Sequence, residues 1–291
     1  MRVLVIGGTG FIGSRVVRQL VDQANAVAIY HRGQTKSALP DGVIDFVDPG
    51  STWPIQKFPK EVFEFAPDVV IHTFAMGEVD ASAAVSAFRG RSGRLVVLSS
   101  GDVYRAYGRF IGIEPGPIEQ GLLFESSPLR TVLYPYRQRA KSNDSLDSGY
   151  EKILVEKAVL GAADLPGTVL RLPKVYGLGS NEDLKTIYSN CNHPNWRWTH
   201  GYVENVAAGI VLAATSARAA GCVYNLGEEE TPTIAERLAW MPGSSIDADV
   251  NSHFNYAQDI AYDTSRIRRE LGYREIIPER AAVLQMLGGK Q

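Results

Sequence analysis

Gly7, Gly10 and Gly13 stand three residues apart, directly behind an apolar run, Val3–Ile6, and at the head of an amphipathic segment running from Phe11 to about Val21. This spacing suits the holding of phosphates. Gly7 allows a tight turn, Gly10 lets the backbone approach a pyrophosphate with no Cβ in the way, and Gly13 lets a helix lie close on the strand. The N-terminus of that helix then offers free N–H groups and a positive dipole end. Thr9, Phe11 and Ile12 lie in the same turn and are counted with the three glycines as dinucleotide contacts.

A site of this kind needs a sheet behind it, and the chain has the pattern for one. Apolar runs of strand length recur at Val3–Ile6, Ala26–Tyr30, Ile44–Val47, Val69–His72, Leu95–Leu98 and Thr168–Leu172. Helix-length segments fall between most of them, at Phe11–Val21, Lys60–Phe65, Val79–Arg89 and Tyr150–Ala163. Continuous runs of Val, Ile and Leu predict strands covered on both faces. Their alternation with helices predicts an α/β fold, a Rossmann-like doubly wound parallel sheet. The stretch Arg105–Gly149 has no clear period and reads as a functional loop or small lid. After Leu172 the elements shorten and mix. The expected division is therefore a dinucleotide-binding domain over residues 1–176 and a small substrate-binding lobe over most of 177–291, with some segments returning to the first core.

Composition narrows the partners. The 291 residues are 45% hydrophobic and 21% charged with a net charge of −2, which gives no support to a nucleic-acid or anionic-membrane partner. No apolar run approaches the roughly 18 residues of a membrane span, and a strand beginning at Arg2 leaves no room for a signal peptide. Cys191 and Cys222 are far apart and match no metal-binding spacing, so no metal site is expected and a reducing cytoplasm is the expected location. The expected partner is a small-molecule substrate, and a homodimer is compatible with the composition.

Six segments, taken in order, resemble the extended short-chain dehydrogenase/reductase family, the group of nucleotide-dependent sugar epimerases and dehydratases. Gly7–Gly13 is similar to its opening motif, and Asp68–Ala75 to its fourth-strand D-x-V-x-H-x-A-A segment. Ser99–Tyr104 is similar to S-S-x-x-V-Y, and Arg171–Gly177 to R-x-x-x-V-Y-G. His200–Ala207 resembles its later Y-V-x-x-x-V-A helix start, and Asp263–Tyr273 its terminal D-x-S-x-x-x-x-E-L-G-Y helix. The resemblance implies that Phe74, Ala75, Pro173 and Val175 lie along the cofactor, and that Asp48, after the third strand, holds the adenine. Asp48 reads equally well as a turn residue before Pro49. The second strand ends Tyr30-His31-Arg32-Gly33, without the carboxylate that binds ribose hydroxyls in NAD-preferring relatives. Arg32 suits a 2′-phosphate, so NADP is the expected cofactor, with NAD the alternative.

The catalytic segment departs from the family pattern, which sets a Tyr four residues before a Lys on one helix. The chain reads Ser148-Gly149-Tyr150-Glu151-Lys152, followed by Glu156. Lys152 and Glu156 fit the Lys and Glu positions, and Lys152 is expected to clamp the nicotinamide ribose. Ser148 falls where the Tyr belongs, and Tyr150 stands two residues from Lys152, a separation at which helical side chains diverge. Tyr150 is the expected proton donor provided it lies ahead of the first helical turn, with Ser100 as its hydrogen-bond partner. Tyr104, Tyr134 and Tyr136 are alternative donors. Asp102 stands at the second acidic position of dehydratases, but Gly101 replaces the first, which argues against dehydration. Trp196 and Trp198 suit either ring stacking or core packing.

Two functions fit these features. The first is an NAD(P)-dependent oxidoreductase or epimerase acting on a carbonyl or secondary alcohol, such as that of a sugar or sugar nucleotide. The second is a dinucleotide-binding sensor or scaffold with little or no catalysis.

Overall fold

The computed structural model describes residues 1–35, 37–143, 145–250 and 253–288. Its nine strands are β1 (Arg2–Ile6), β2 (Ala26–His31), β3 (Ile44–Val47), β4 (Val69–His72), β5 (Arg94–Ser100), β6 (Gly167–Leu172), β7 (Lys174–Tyr176), β8 (His200–Tyr202) and β9 (Cys222–Asn225). Seven form one sheet in the order β3-β2-β1-β4-β5-β6-β9, and β7 pairs with β8 in a second. β1 runs parallel to β2 and β4, β2 to β3, and β4 to β5. The sheet reverses direction of growth at β1, which has β2 on one side and β4 on the other. Ligands of doubly wound sheets bind outside the carboxyl end of such a strand.

All six expected strands are present, within two residues at either end. β4 and β6 are buried along their whole length, as their mainly apolar runs predict, and the one charged residue among them, Arg171, is buried as well. β3 is the exception: it is the sheet edge, and Ile44 and Val47 stay about half exposed. Helices Gly13–Asp22, Glu78–Phe88 and Lys152–Leu160 cover the sheet, burying Val16, Val17, Leu20, Ala81, Ala84, Phe88, Val155 and Val159. Among the described residues, no helix is long and apolar enough to cross a membrane.

The chain divides into two compact units. The first comprises Met1–Ser100, Leu133–Arg171 and Ala207–Tyr224; the second comprises Gly101–Val132, Leu172–Val206 and Asn225–Gln291. The units interleave along the chain. Residues 101–132 and 172–176 group with the second unit although they precede position 176, and residues 207–224 return to the first. The stretch Arg105–Gly149 is shared between both units, and its described residues include the short helices Arg105–Phe110 and Leu146–Gly149 and a 3₁₀ turn at Arg137–Arg139.

Candidate functional site

The glycine turn between β1 and its helix is built as the spacing predicts. Gly7 has φ +84°, a left-handed conformation, and a Cβ there would stand 2.4 Å from Thr73 Oγ1. A Cβ on Gly13 would stand 2.2 Å from the Gly7 carbonyl oxygen, so the helix sits on the turn only because Gly13 lacks one. Gly10 differs. Its φ lies outside the left-handed region, and a Cβ would touch only the Gly7 carbonyl oxygen, at an ordinary 3.4 Å. The protein itself needs glycine at 7 and 13. Among the described residues, nothing needs it at 10.

A cavity of about 310 Å³ opens over this turn. Gly7, Thr9, Gly10, Phe11, Ile12, Gly13, Arg32 and Phe74 all line it, so eight of the expected cofactor contacts come together. The Arg32 guanidinium lies 5.9 Å from the centre of the Phe74 ring. Among the described residues no carboxylate pairs with it. The neighbouring His31 instead takes Asp45 at 2.7 Å. Sequence reasoning missed Gln34, Thr35, Ile55 and Thr73, which also line the cavity. Gln34 and Thr35 follow β2 and were findable as the carboxyl end of a strand beside the switch point. Ile55 lies in a stretch without periodicity and gave no signal.

Asp48, Ala75, Lys152, Pro173 and Val175 are not part of this lining. Asp48 accepts the Tyr30 hydroxyl at 2.9 Å and the Gly50 N–H at 3.2 Å, so both carboxylate oxygens are engaged within the fold. The second contact is the side-chain turn of the plainer reading. Ala75 is fully buried. Pro173 and Val175 belong to the second unit, where the Pro173 ring packs on the backbones of Gly201 and Gly227.

The candidate catalytic segment has a broken helix. Residues Leu146–Gly149 form one short turn, and the main helix starts only at Lys152. Between them Tyr150 is extended (φ −67°, ψ 117°). Glu151, fully buried, is the N-cap, its carboxylate accepting the Ile153 N–H at 2.9 Å and the Tyr134 N–H at 2.5 Å. Close packing accounts for the break. A Cβ on Gly149 would stand 2.6 Å from the Trp53 ring, and one on Gly77 would stand 2.6 Å from the Gly149 carbonyl oxygen. Tyr150 therefore lies ahead of the first helical turn, as its assignment as donor requires. Its ring is 5.1 Å from that of Tyr136.

Lys152, the first helical residue, points inward and is only 4% exposed. Its ammonium donates to the Ala75 carbonyl at 2.6 Å and the Leu98 carbonyl at 2.8 Å, tying β4's end to β5, and lies 5.7 Å from the centre of the Tyr150 ring. His72 is fully buried. Its pKa is pushed down to about 3, first by burial and then by the Lys152 charge, so it stays neutral. Ser99 and Ser100 face opposite sides of β5. Ser99 donates to Glu156 at 2.5 Å, and Glu156 is paired with Arg171 through two contacts of 3.0 and 2.8 Å. Three residues from separate motifs thus form one buried structural cluster. Ser100, at the strand end, is half-buried.

The other candidates are explained by packing in the second unit. Tyr104 is fully buried and donates to Asn225 Oδ1 at 2.5 Å. Gly101 has no room for a side chain: a Cβ would fall 1.5 Å from the Tyr262 hydroxyl oxygen, which donates to the Leu172 carbonyl. The first acidic residue of a dehydratase cannot be accommodated there. Trp196 is 2% exposed, stacked on Phe110 with centroids 5.0 Å apart, and serves the core. Trp198 is half-buried. Among the described residues, no cluster of His, Cys, Asp and Glu could hold a metal ion.

Comparison with known proteins bears on the family and the fold. Residues 3–88 match the model of the NAD dependent epimerase/dehydratase family. The 2′-dehydrokanamycin reductase of Streptomyces kanamyceticus is 27% identical over 248 residues. That match covers 78% of this chain, and the chain spans 61% of the reductase's length. Among solved structures, Pal from Bacillus thuringiensis superposes with a TM-score of 0.73 at 18% identity over the whole of both chains. WbmG from Bordetella bronchiseptica, in complex with NAD, superposes at 0.70 and 17% identity, covering 99% of this chain and 93% of that one. At such identities the structural matches establish the fold.

Proposed function

We propose that this member of the NAD-dependent epimerase/dehydratase family binds a nicotinamide dinucleotide over the β1 turn and uses it to oxidise or reduce a carbonyl or secondary alcohol. The observation that carries the reading is Gly10. Its missing Cβ serves no contact within the protein, and it faces a cavity of the right kind beside a helix N-terminus. When bound, the dinucleotide supplies or accepts the hydride. The protein's own part is to hold the phosphates on the N–H groups of the glycine turn, to take the 2′-phosphate of NADP on Arg32, and to move a proton at the substrate oxygen. Tyr150 is our choice for that proton, because its backbone is freed from the helix by Gly149. Ser100 is its partner, and the Lys152 ammonium lies 5.7 Å from the centre of the Tyr150 ring. The 27% identical reductase supports a reduction, and a sugar or sugar derivative is the substrate class we favour.

One observation favours the second reading, a dinucleotide-binding protein with little turnover. The Lys152 ammonium, which the family pattern directs to the nicotinamide ribose, is buried on the Ala75 and Leu98 carbonyls. Calorimetry with NADPH and NADH, followed by a panel of sugar ketones and alcohols monitored at the nicotinamide absorbance, separates the two. Binding with turnover supports the enzyme, and binding without it the sensor. No binding of either dinucleotide refutes both.

A further inference from the structure

The second unit has a cavity of about 510 Å³ of its own. Its walls are aromatic in part, including Phe110, Trp198 and Tyr256, and Lys174 lines it as well. Lys174 begins β7, in register with His200 of β8. Its ammonium rests 5.5 Å from the centre of the Trp198 ring. Burial holds its pKa below the ordinary lysine value, and no carboxylate is near enough to offset that burial. Among the described residues, no carbonyl or carboxylate accepts its protons. The carboxylates that share the cavity, Asp183 and Asp249, are exposed, as is Lys185.

The polar groups around Lys174 are committed to one another. Asn181 donates to Thr186 Oγ1 at 2.9 Å, and Thr186 Oγ1 lies 3.1 Å from His200 Nε2. His200 Nδ1 lies 2.7 Å from the Trp198 carbonyl, so Nδ1 carries the proton and Nε2 accepts from Thr186. Burial, and then the charge of Arg237, keep His200 neutral. This relay fixes the Trp198 backbone and adds no charge. What remains is a half-buried cation with three donors, supported by a ring face and lacking a counter-ion. Such a group is stabilised most by an oxyanion that enters the cavity.

We propose that Lys174 is the anchor of an oxyanion subsite that accepts the phosphate or carboxylate of a ring-bearing small molecule. A cavity of this volume holds more than an isolated ion. As the seat of the substrate the subsite rests on the function proposed above, but its occupancy requires no dinucleotide. It selects against cationic amino sugars, which bring a like charge to Lys174, and in favour of anionic ones.

The test is calorimetry on the whole chain without dinucleotide, with UDP, glucuronate, inorganic phosphate, glucose and glucosamine as probes. UDP or glucuronate is expected to bind at least about tenfold more tightly than glucose or glucosamine, the worth of a charge-assisted hydrogen bond. The stronger of the two shows whether phosphate or carboxylate is taken. Lys174→Gln should weaken that probe by about ten- to a hundredfold, and Lys174→Arg should restore most of it. Thermal unfolding of each variant shows that it is folded, and Lys185→Gln serves as a control for loss of an exposed charge. Equal binding to wild type and folded Lys174→Gln, binding of glucose as tight as glucuronate and UDP, or no binding of any oxyanion overturns the proposal. If dinucleotide binding fails while Lys174-dependent anion binding persists, the function reading falls and the subsite stands.

Discussion

Replacing Gly10 separates what the fold needs from what a ligand needs. Ala at position 10 adds one carbon, whose nearest neighbour is the Gly7 carbonyl oxygen at 3.4 Å, an ordinary van der Waals distance. No left-handed strain is involved, so Gly10→Ala should leave stability within about 0.5 kcal/mol of wild type. Ala at position 13 adds the same carbon 2.2 Å from the same oxygen and 3.0 Å from Gly8 Cα. Both are backbone atoms that cannot swing aside, so Gly13→Ala should cost about 1–3 kcal/mol or more. Gly10→Val goes further and fills the space over the turn. It should remove one or two backbone N–H contacts to a pyrophosphate, each worth about 1.5–3 kcal/mol, and so weaken NADPH binding by at least about tenfold. Urea unfolding measures the first two variants and calorimetry the third. A folded Gly10→Val protein with the wild-type affinity for NADPH would refute the cofactor site. A Gly10→Ala protein as unstable as Gly13→Ala would refute the claim that only a ligand needs glycine at position 10.

Four further outcomes follow from the site. Arg32→Ala should erase an NADPH-over-NADH preference of about ten- to a hundredfold, as read from the two dissociation constants; a wild type that favours NADH contradicts it. Tyr150→Phe should lower turnover of any substrate found by at least about a hundredfold while leaving dinucleotide affinity unchanged; nearly full activity moves the proton donor elsewhere. Glu156→Ala leaves the buried Arg171 without its partner and should cost about 3–5 kcal/mol in urea unfolding; a loss under 1 kcal/mol, on the order of an exposed pair, shows the cluster is not structural. His72 has a folded pKa of about 3, below its unfolded value. Between the two the unfolded chain binds a proton that the folded one does not, so stability should fall as pH drops below about 6.5, at up to about 1.4 kcal/mol per pH unit from this group. Comparing wild type with His72→Gln at several pH values checks it, and an identical slope in both proteins refutes it.

The sheet was legible in the sequence where burial is two-sided. Val69–His72 and Thr168–Leu172 are mainly apolar because every residue of β4 and β6 is buried, and the exception, Arg171, is buried with Glu156 as its partner. Gly7 and Gly13 have the turn and close-packing roles their spacing assigned, because turn geometry and close approach act over a few residues. Arg32 was legible as the residue closing a strand at the cofactor edge, and the structure places it at that cavity. Asp48 was not, since both its roles fit the sequence equally well. The structure shows its bonds to Tyr30 and to the turn N–H of Gly50.

The chain's own order of residues therefore determined the strand–turn–helix that opens the fold, the alternation behind it and the absence of an intact Tyr-Lys pair. Each of these depends on neighbours within one or two turns of backbone. Tertiary structure decided where the candidate catalytic helix begins. Periodicity placed its start at Tyr150, whereas contact of Gly149 with Trp53 and Gly77 and the capping by Glu151 shift it to Lys152. It also turned Lys152 inward onto Ala75 and Leu98, gathered Ser99, Glu156 and Arg171 into one ion-paired cluster, and placed Lys174 beside Trp198 with no counter-ion among the described residues. Those outcomes depend on residues tens of positions apart meeting in a closely packed interior, where a steric overlap of an ångström or an unpaired charge outweighs local preference.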